Sequence, residues 1–219
     1  VSWFDLRGKA EQFADDLSTL LNNTVCNGIR LRPVIDEHTG VAMIGYNLSN
    51  DDLMSKGLPL TLGHKPPSGY LGLMCRLTAD DTEGKHLMVV SSFYSFCADR
   101  DLSEELLHYD YEREKADAYP EAHLQVSASS PVWERLAAAR GLGDMPLAKA
   151  HLPVGGRRYR PTVEDMIDFL VTEGLADGHP GWTTHVEAGR DRFMQAQLRA
   201  AVRRNPEVAL EVLRSKGLC

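Results

Sequence analysis

The spacing of apolar residues changes along the chain. Leu6, Ala10, Phe13, Ala14, Leu17 and Leu20-Leu21, with Phe4 ahead of them, recur at three- and four-residue steps. This predicts an amphipathic helix over residues 4–22, ending near Asn22-Asn23. Two short runs, 28–35 and 41–48, then predict a hairpin turning at Asp36-Glu-His-Thr-Gly40. A second strand pair, 70–78 and 86–96, flanks a turn at 79–85. In a further strand, 106–112, Leu106, His108, Asp110 and Glu112 share one face, and Leu107, Tyr109 and Tyr111 the other. Residues 113–120 turn the chain into a last strand at 122–128. Between the hairpins, Asn50, Gly57, Pro59, Gly63, Pro66, Pro67 and Gly69 mark residues 49–69 as a long loop.

From Ser130 onward the period is helical. Ser130-Pro131 reads as an N-cap followed by proline in the first turn, opening a helix over 131–140 that Gly141 and Gly143 stop. Residues 147–154 are a short extended piece. Thr162 and Asp165 imitate a capping box for a helix over 162–174. A long helix covers 184–204 and a shorter one 206–216. Strands first and helices afterwards predict one α+β domain over 1–219, sheet-rich to residue 160 and helical beyond. Its antiparallel sheet comes from the N-terminal two-thirds and is packed by N- and C-terminal helices. There is no Gly-x-Gly-x-x-Gly or Walker A sequence, which argues against dinucleotide and P-loop chemistry.

The chain has 219 residues, 43% hydrophobic and 25% charged, enough to build a core without disulfides. Cys26, Cys75, Cys97 and Cys219 include no Cys-x-x-Cys pair and read as reduced, structural thiols. The formal charge is −7, against general attraction to nucleic acid or anionic membrane. Residues 150–219 hold 10 basic and 9 acidic side chains, so an anion site is expected in that third. Arginine outnumbers lysine 17 to 7, which points to a GC-rich bacterial genome. With no apolar run of about 20 residues and no basic-then-apolar leader pattern, a cytoplasmic location without a membrane partner is expected.

Three stretches can carry chemistry. Ala122-His123-Leu124-Gln125-Val126 and Ala150-His151-Leu152-Pro153-Val154 share the pattern Ala-His-Leu-x-Val. Strand alternation turns each histidine away from its flanking Ala and Leu, so two such strands can present paired imidazoles to one cleft for proton transfer near neutral pH. Next, Gly155-Gly156-Arg157-Arg158-Tyr159-Arg160-Pro161-Thr162 joins glycines, guanidinium groups and a helix N-terminus, the elements of a phosphate site. Finally, His108 and Asp110 are second candidates, able to bind a metal or to approach His123 if their strand pairs with 122–128. Each stretch also has a structural alternative: half-buried strand histidines, a solvated basic loop, and a polar outer strand face. His38, His64, His86, His179 and His185 read as surface residues, and Trp3, Trp133 and Trp182 as packing anchors. Arg192, Arg199, Arg203 and Arg204 read as a solvated helix face.

The doubled His-hydrophobic-x-hydrophobic pattern resembles that of the 2H phosphoesterases, which carry Ser or Thr where this chain has Gln125 and Pro153. Residues 106–173 resemble small bacterial proteins associated with toxin–antitoxin systems and mobile elements. The resemblance implies an RNase-like activity. The residues themselves suggest a metal-independent phosphoesterase without a cofactor, acting on RNA or a small phosphodiester. It would use His123, His151 and Tyr159 as catalytic groups and Gly155, Gly156, Arg157 and Arg158 as a substrate clamp. The alternative is a non-catalytic interaction protein, an antitoxin-like or phage-defence partner that binds another protein. The C-terminal helices are expected to cover the sheet or to mediate self-association.

Overall fold

The computed structural model describes residues 5–63, 65, 67, 69–80, 86–115, 119–141, 145–155 and 159–218. Within them the chain is α+β, as its periodicity predicts. It opens with α1 (Leu6–Thr24), followed by strands β1 (Arg32–Asp36), β2 (Val41–Gly45), β3 (Leu58–Pro59), β4 (Tyr70–Ala79), β5 (Leu87–Cys97), β6 (Glu105–Glu112) and β7 (Ala122–Val126). After α2 (Pro131–Ala139) and a 3₁₀ turn (Leu147–Lys149) comes β8 (Leu152–Pro153). The helices α3 (Val163–Thr172), α4 (Trp182–Arg204) and α5 (Pro206–Ser215) complete it. The strands form one antiparallel sheet in the order β1-β2-β4-β5-β6-β7-β8, with β3 pairing β4. No helix among the described residues is long and apolar enough to cross a membrane.

Several predicted boundaries move, each for a local reason. β1 starts four residues later than expected. Gly28 has a φ of 66°, and Asn22 on α1 holds Ile29 through both its N–H and its carbonyl, at 2.8 and 2.7 Å, so 28–31 follows the helix instead of the sheet. β2 stops at Gly45 because Asn47 turns left-handed and the Ser55 hydroxyl accepts the Tyr46 N–H. Within the 49–69 loop, Leu58 and Pro59 return to pair with β4. The extended piece expected at 147–154 is a 3₁₀ turn followed by only two strand residues. Both predicted caps form: Ser130 accepts the Trp133 N–H at 3.1 Å, and Asp165 accepts the Thr162 N–H at 2.9 Å. Expectations that fall on Trp3, Phe4, His64, Pro66, residues 81–85, Gly143 and Cys219 lie outside the described residues.

One face of the sheet is the core. Ile44, Leu71, Leu73, Cys75, Leu77 and Tyr94 point into it and meet Leu17 and Leu21 of α1 and Met166, Ile167 and Leu170 of α3. Cys26, Cys75 and Cys97 are buried and free, and burial pushes the Cys26 thiol up to about 12. His179, expected at the surface, instead joins the end of α1. Its Nδ1 lies 3.0 Å from the Asn22 carbonyl, and its backbone N–H donates to Thr24 at 2.7 Å. These contacts satisfy carbonyls that the last helical turn leaves open. The opposite face of the sheet, which α1 and α3 leave uncovered, bears the histidines.

Candidate functional site

Strand register assembles the site. Antiparallel partners lie side by side on one face. Phe93 of β5 pairs with Asp110 of β6, Asp110 with His123 of β7, and His123 with Pro153 of β8. The neighbouring row on the same face runs Ser95, His108, Gln125. Asp110 is thus directly opposite His123, as expected if the two strands paired. His151 reaches the cluster from the residue before β8. Its ring meets that of His123 edge to face, with centroids 4.6 Å apart and planes at 64°. The other face of His151 stacks on Tyr119 at 4.0 Å and 10°.

The three imidazoles occupy different electrostatic environments. His123 is buried, and its Nδ1 donates to the Pro120 carbonyl at 3.1 Å. That bond leaves the lone pair on Nε2, which faces Asp110 Oδ2 at 3.8 Å. Burial depresses the His123 pKa. The Pro120 carbonyl and Asp110 oppose the shift, while His151 and Lys115 reinforce it, and the net direction is down. His108 goes the other way. Burial pulls it down, but the Glu105 carboxylate, Gln125 and Asp110 outweigh that and raise it. Geometry agrees with this direction. Glu105 lies 2.5 Å from Nδ1 and Gln125 Oε1 lies 2.9 Å from Nε2, and both are acceptors. The Gln125 amide is fixed in that orientation because its Nε2 donates to the Ala148 carbonyl at 3.0 Å. An imidazole facing two acceptors carries both protons. A neutral-favoured and a cation-favoured imidazole therefore sit 6.4 Å apart, ring to ring.

His151 is half-buried and makes no hydrogen bond among the described residues, so its ring nitrogens are free for a ligand. Lys115 lies over the Tyr119 ring, 4.9 Å from its centroid, and pairs with Glu112 at 3.1 Å. Gly155 is two residues beyond β8 with φ 117°, and a side chain there would run into Tyr159 Cβ at 2.5 Å. Tyr159 is exposed and has no stacking or hydrogen-bond contact with the imidazoles among the described residues. Gly156, Arg157 and Arg158 lie outside those residues. Arg160 turns inward, its guanidinium 5.0 Å from the Phe193 ring centroid.

The structure therefore brings together His123, His151, His108 and Asp110 and adds Glu105, Gln125, Tyr119 and Lys115, which the sequence did not single out. Tyr119 and Lys115 belong to a segment read only as a turn. Gln125 had a signal, as the residue at the x position beside His123. No three His, Cys, Asp or Glu side chains among the described residues are arranged to hold a metal ion. No protein-family model, curated protein or solved structure matches the chain.

Proposed function

We propose that the chain is a metal-independent phosphodiester-cleaving enzyme, RNase-like in its chemistry, in which His123 and His151 exchange protons with the substrate. The observation that supports this most directly is the edge-to-face meeting of the two rings at 4.6 Å, one held neutral and the other with free nitrogens. Environments that differ in this way let neighbouring groups serve as base and acid. The 3.8 Å between His123 Nε2 and Asp110 Oδ2 is too long for a direct hydrogen bond, which leaves the Nε2 lone pair to accept the proton of a substrate hydroxyl. On RNA, His123 Nε2 takes the 2′-hydroxyl proton as the 2′-oxygen bonds to phosphorus. The bond to the 5′-oxygen breaks, and that oxygen takes a proton from protonated His151. A 2′,3′-cyclic phosphate results, and water opens it with the two roles reversed. Arg157 and Arg158 would hold the phosphate, and Asp110 would steady the cation on His123.

A second reading, a non-catalytic partner-binding protein, is favoured by one observation: His108 and His123 have hydrogen-bond partners within the fold, as structural histidines do. One experiment separates the two. RNA, cyclic phosphates and simple phosphodiesters are incubated with the wild type and with His151→Ala, in EDTA. Catalysis predicts turnover by the wild type and a loss of about 10²-fold or more in the variant, with the fold retained by circular dichroism. No turnover of any substrate by the wild type would sink the enzyme in favour of the binding protein.

A further inference from the structure

The second half of α4 and all of α5 lack the burial that sustains the rest of the fold. Half of the large apolar side chains left exposed among the described residues fall between 194 and 218. On α4, Met194, Leu198 and Val202 recur every four residues and are 59%, 62% and 46% exposed. On α5, Val208, Val212 and Leu213 are 59%, 49% and 37% exposed, and no residue is buried. The chief neighbour of α5 is α4. A ten-residue helix is marginal in water without a surface to pack on. A single residue, Asn205, separates the two helices, so the exposed stripes adjoin along the chain.

Charge flanks that surface in a pattern that complements itself. Arg199 and Arg203 lie one turn apart beside the α4 stripe, and Glu207 and Glu211 one turn apart beside the α5 stripe. None of the four is in an ion pair among the described residues. We propose that this surface binds a second copy of the chain, in a twofold dimer that lays α4 of each protomer along α5 of the other. A twofold interface needs one patch to carry both halves of every contact. Here the apolar stripes meet in the middle, while the arginine row of one copy meets the glutamate row of the other at each edge. Eight large apolar side chains between 194 and 218 stand exposed to be buried in it, toward the roughly 800 Å² per partner of a stable interface.

The test is the mass of the full-length protein in solution by light scattering on a sizing column. The wild type is expected at twice the 24.3 kDa chain mass, and Leu198→Glu at the single mass, with any loss of helical circular dichroism no larger than the ten residues of α5. Arg199→Glu with Arg203→Glu should weaken the dimer at least tenfold, as should Glu207→Arg with Glu211→Arg. All four changes in one chain should restore it, because both rows then switch sign together. A wild-type monomer at about 100 μM, far above the Kd of a stable dimer, would overturn the proposal. So would a Leu198→Glu dimer, or a fourfold variant no tighter than the double variants.

Discussion

The two faces of the sheet differ in what closes them. Beneath α1 and α3, Leu73, Tyr94 and Ile44 are sealed by helices whose apolar faces match the sheet, and the result is a buried core. On the other face, Met74 and Phe93 lead into Asp110, His123 and Gln125, and loops bring Tyr119, Pro120 and His151 against the last of these strands. The first face is largely apolar, with the Tyr94 hydroxyl and the Cys75 thiol meeting each other at 3.5 Å within it. The second keeps polar groups, and gives His108 and His123 hydrogen-bond partners that bias their protonation in opposite directions. Strand alternation produces both, since adjacent residues of one strand belong to opposite environments.

The largest test of this contrast uses two neighbours on β4. Leu73→Ala should cost about 3 kcal/mol and Met74→Ala about 1, because the cavity term applies to the sealed face. Equal losses in urea titrations would erase the distinction. Next, Gln125→Leu deprives His108 Nε2 and the Ala148 carbonyl of their partners together. A loss of about 2 kcal/mol is expected, as for a group left unpaired beside a charge. A neutral result would show that water substitutes for the amide.

pH sharpens the comparison within the second face. The folded pKa of His108 is raised, so its stabilising contribution is complete below the ordinary value of 6.5 and is lost as pH rises through the folded value. The folded pKa of His123 is lowered, so its contribution is complete above 6.5 and is lost as pH falls toward the folded value. Together they make stability crest near pH 6.5. Glu105→Gln should flatten the alkaline limb and His123→Asn the acidic one, in unfolding curves taken from pH 5 to 8. Limbs unchanged in both variants would mean that other groups set the pH dependence. The smallest effect is expected at Ser130→Ala, about 1 kcal/mol for a lost helix cap, read from the thermal midpoint.

Much of this was legible in the chain itself. The three- and four-residue steps marked α1. The Ser130 and Thr162-Asp165 caps were plain because each acts within three residues of itself. His123 and Asp110 could be brought together by supposing that their strands pair, since period two then puts both on a defined face. What escaped was set by register or by loops. The Glu105 contact with His108 crosses an irregularity in the β5–β6 pairing, where Cys97 rather than its successor meets Glu105. Gln125 looked only like a departure from a motif, yet it orients one histidine and, through Ala148, ties down the turn that leads to another. His179 was unreadable as a cap because its partner lies 157 positions away.

β1, β3 and β8 border the sheet, and each contains a proline: Pro33, Pro59 and Pro153. Proline has no N–H to offer an incoming strand, and an open border is where one chain templates onto another. The sheet is therefore guarded against fibrillar growth at its margins. Next to the histidines this matters doubly, because β8 contributes only two residues to its border. An added strand there would compete for the place that holds His151, so the proline beside His123 also helps keep the two rings together.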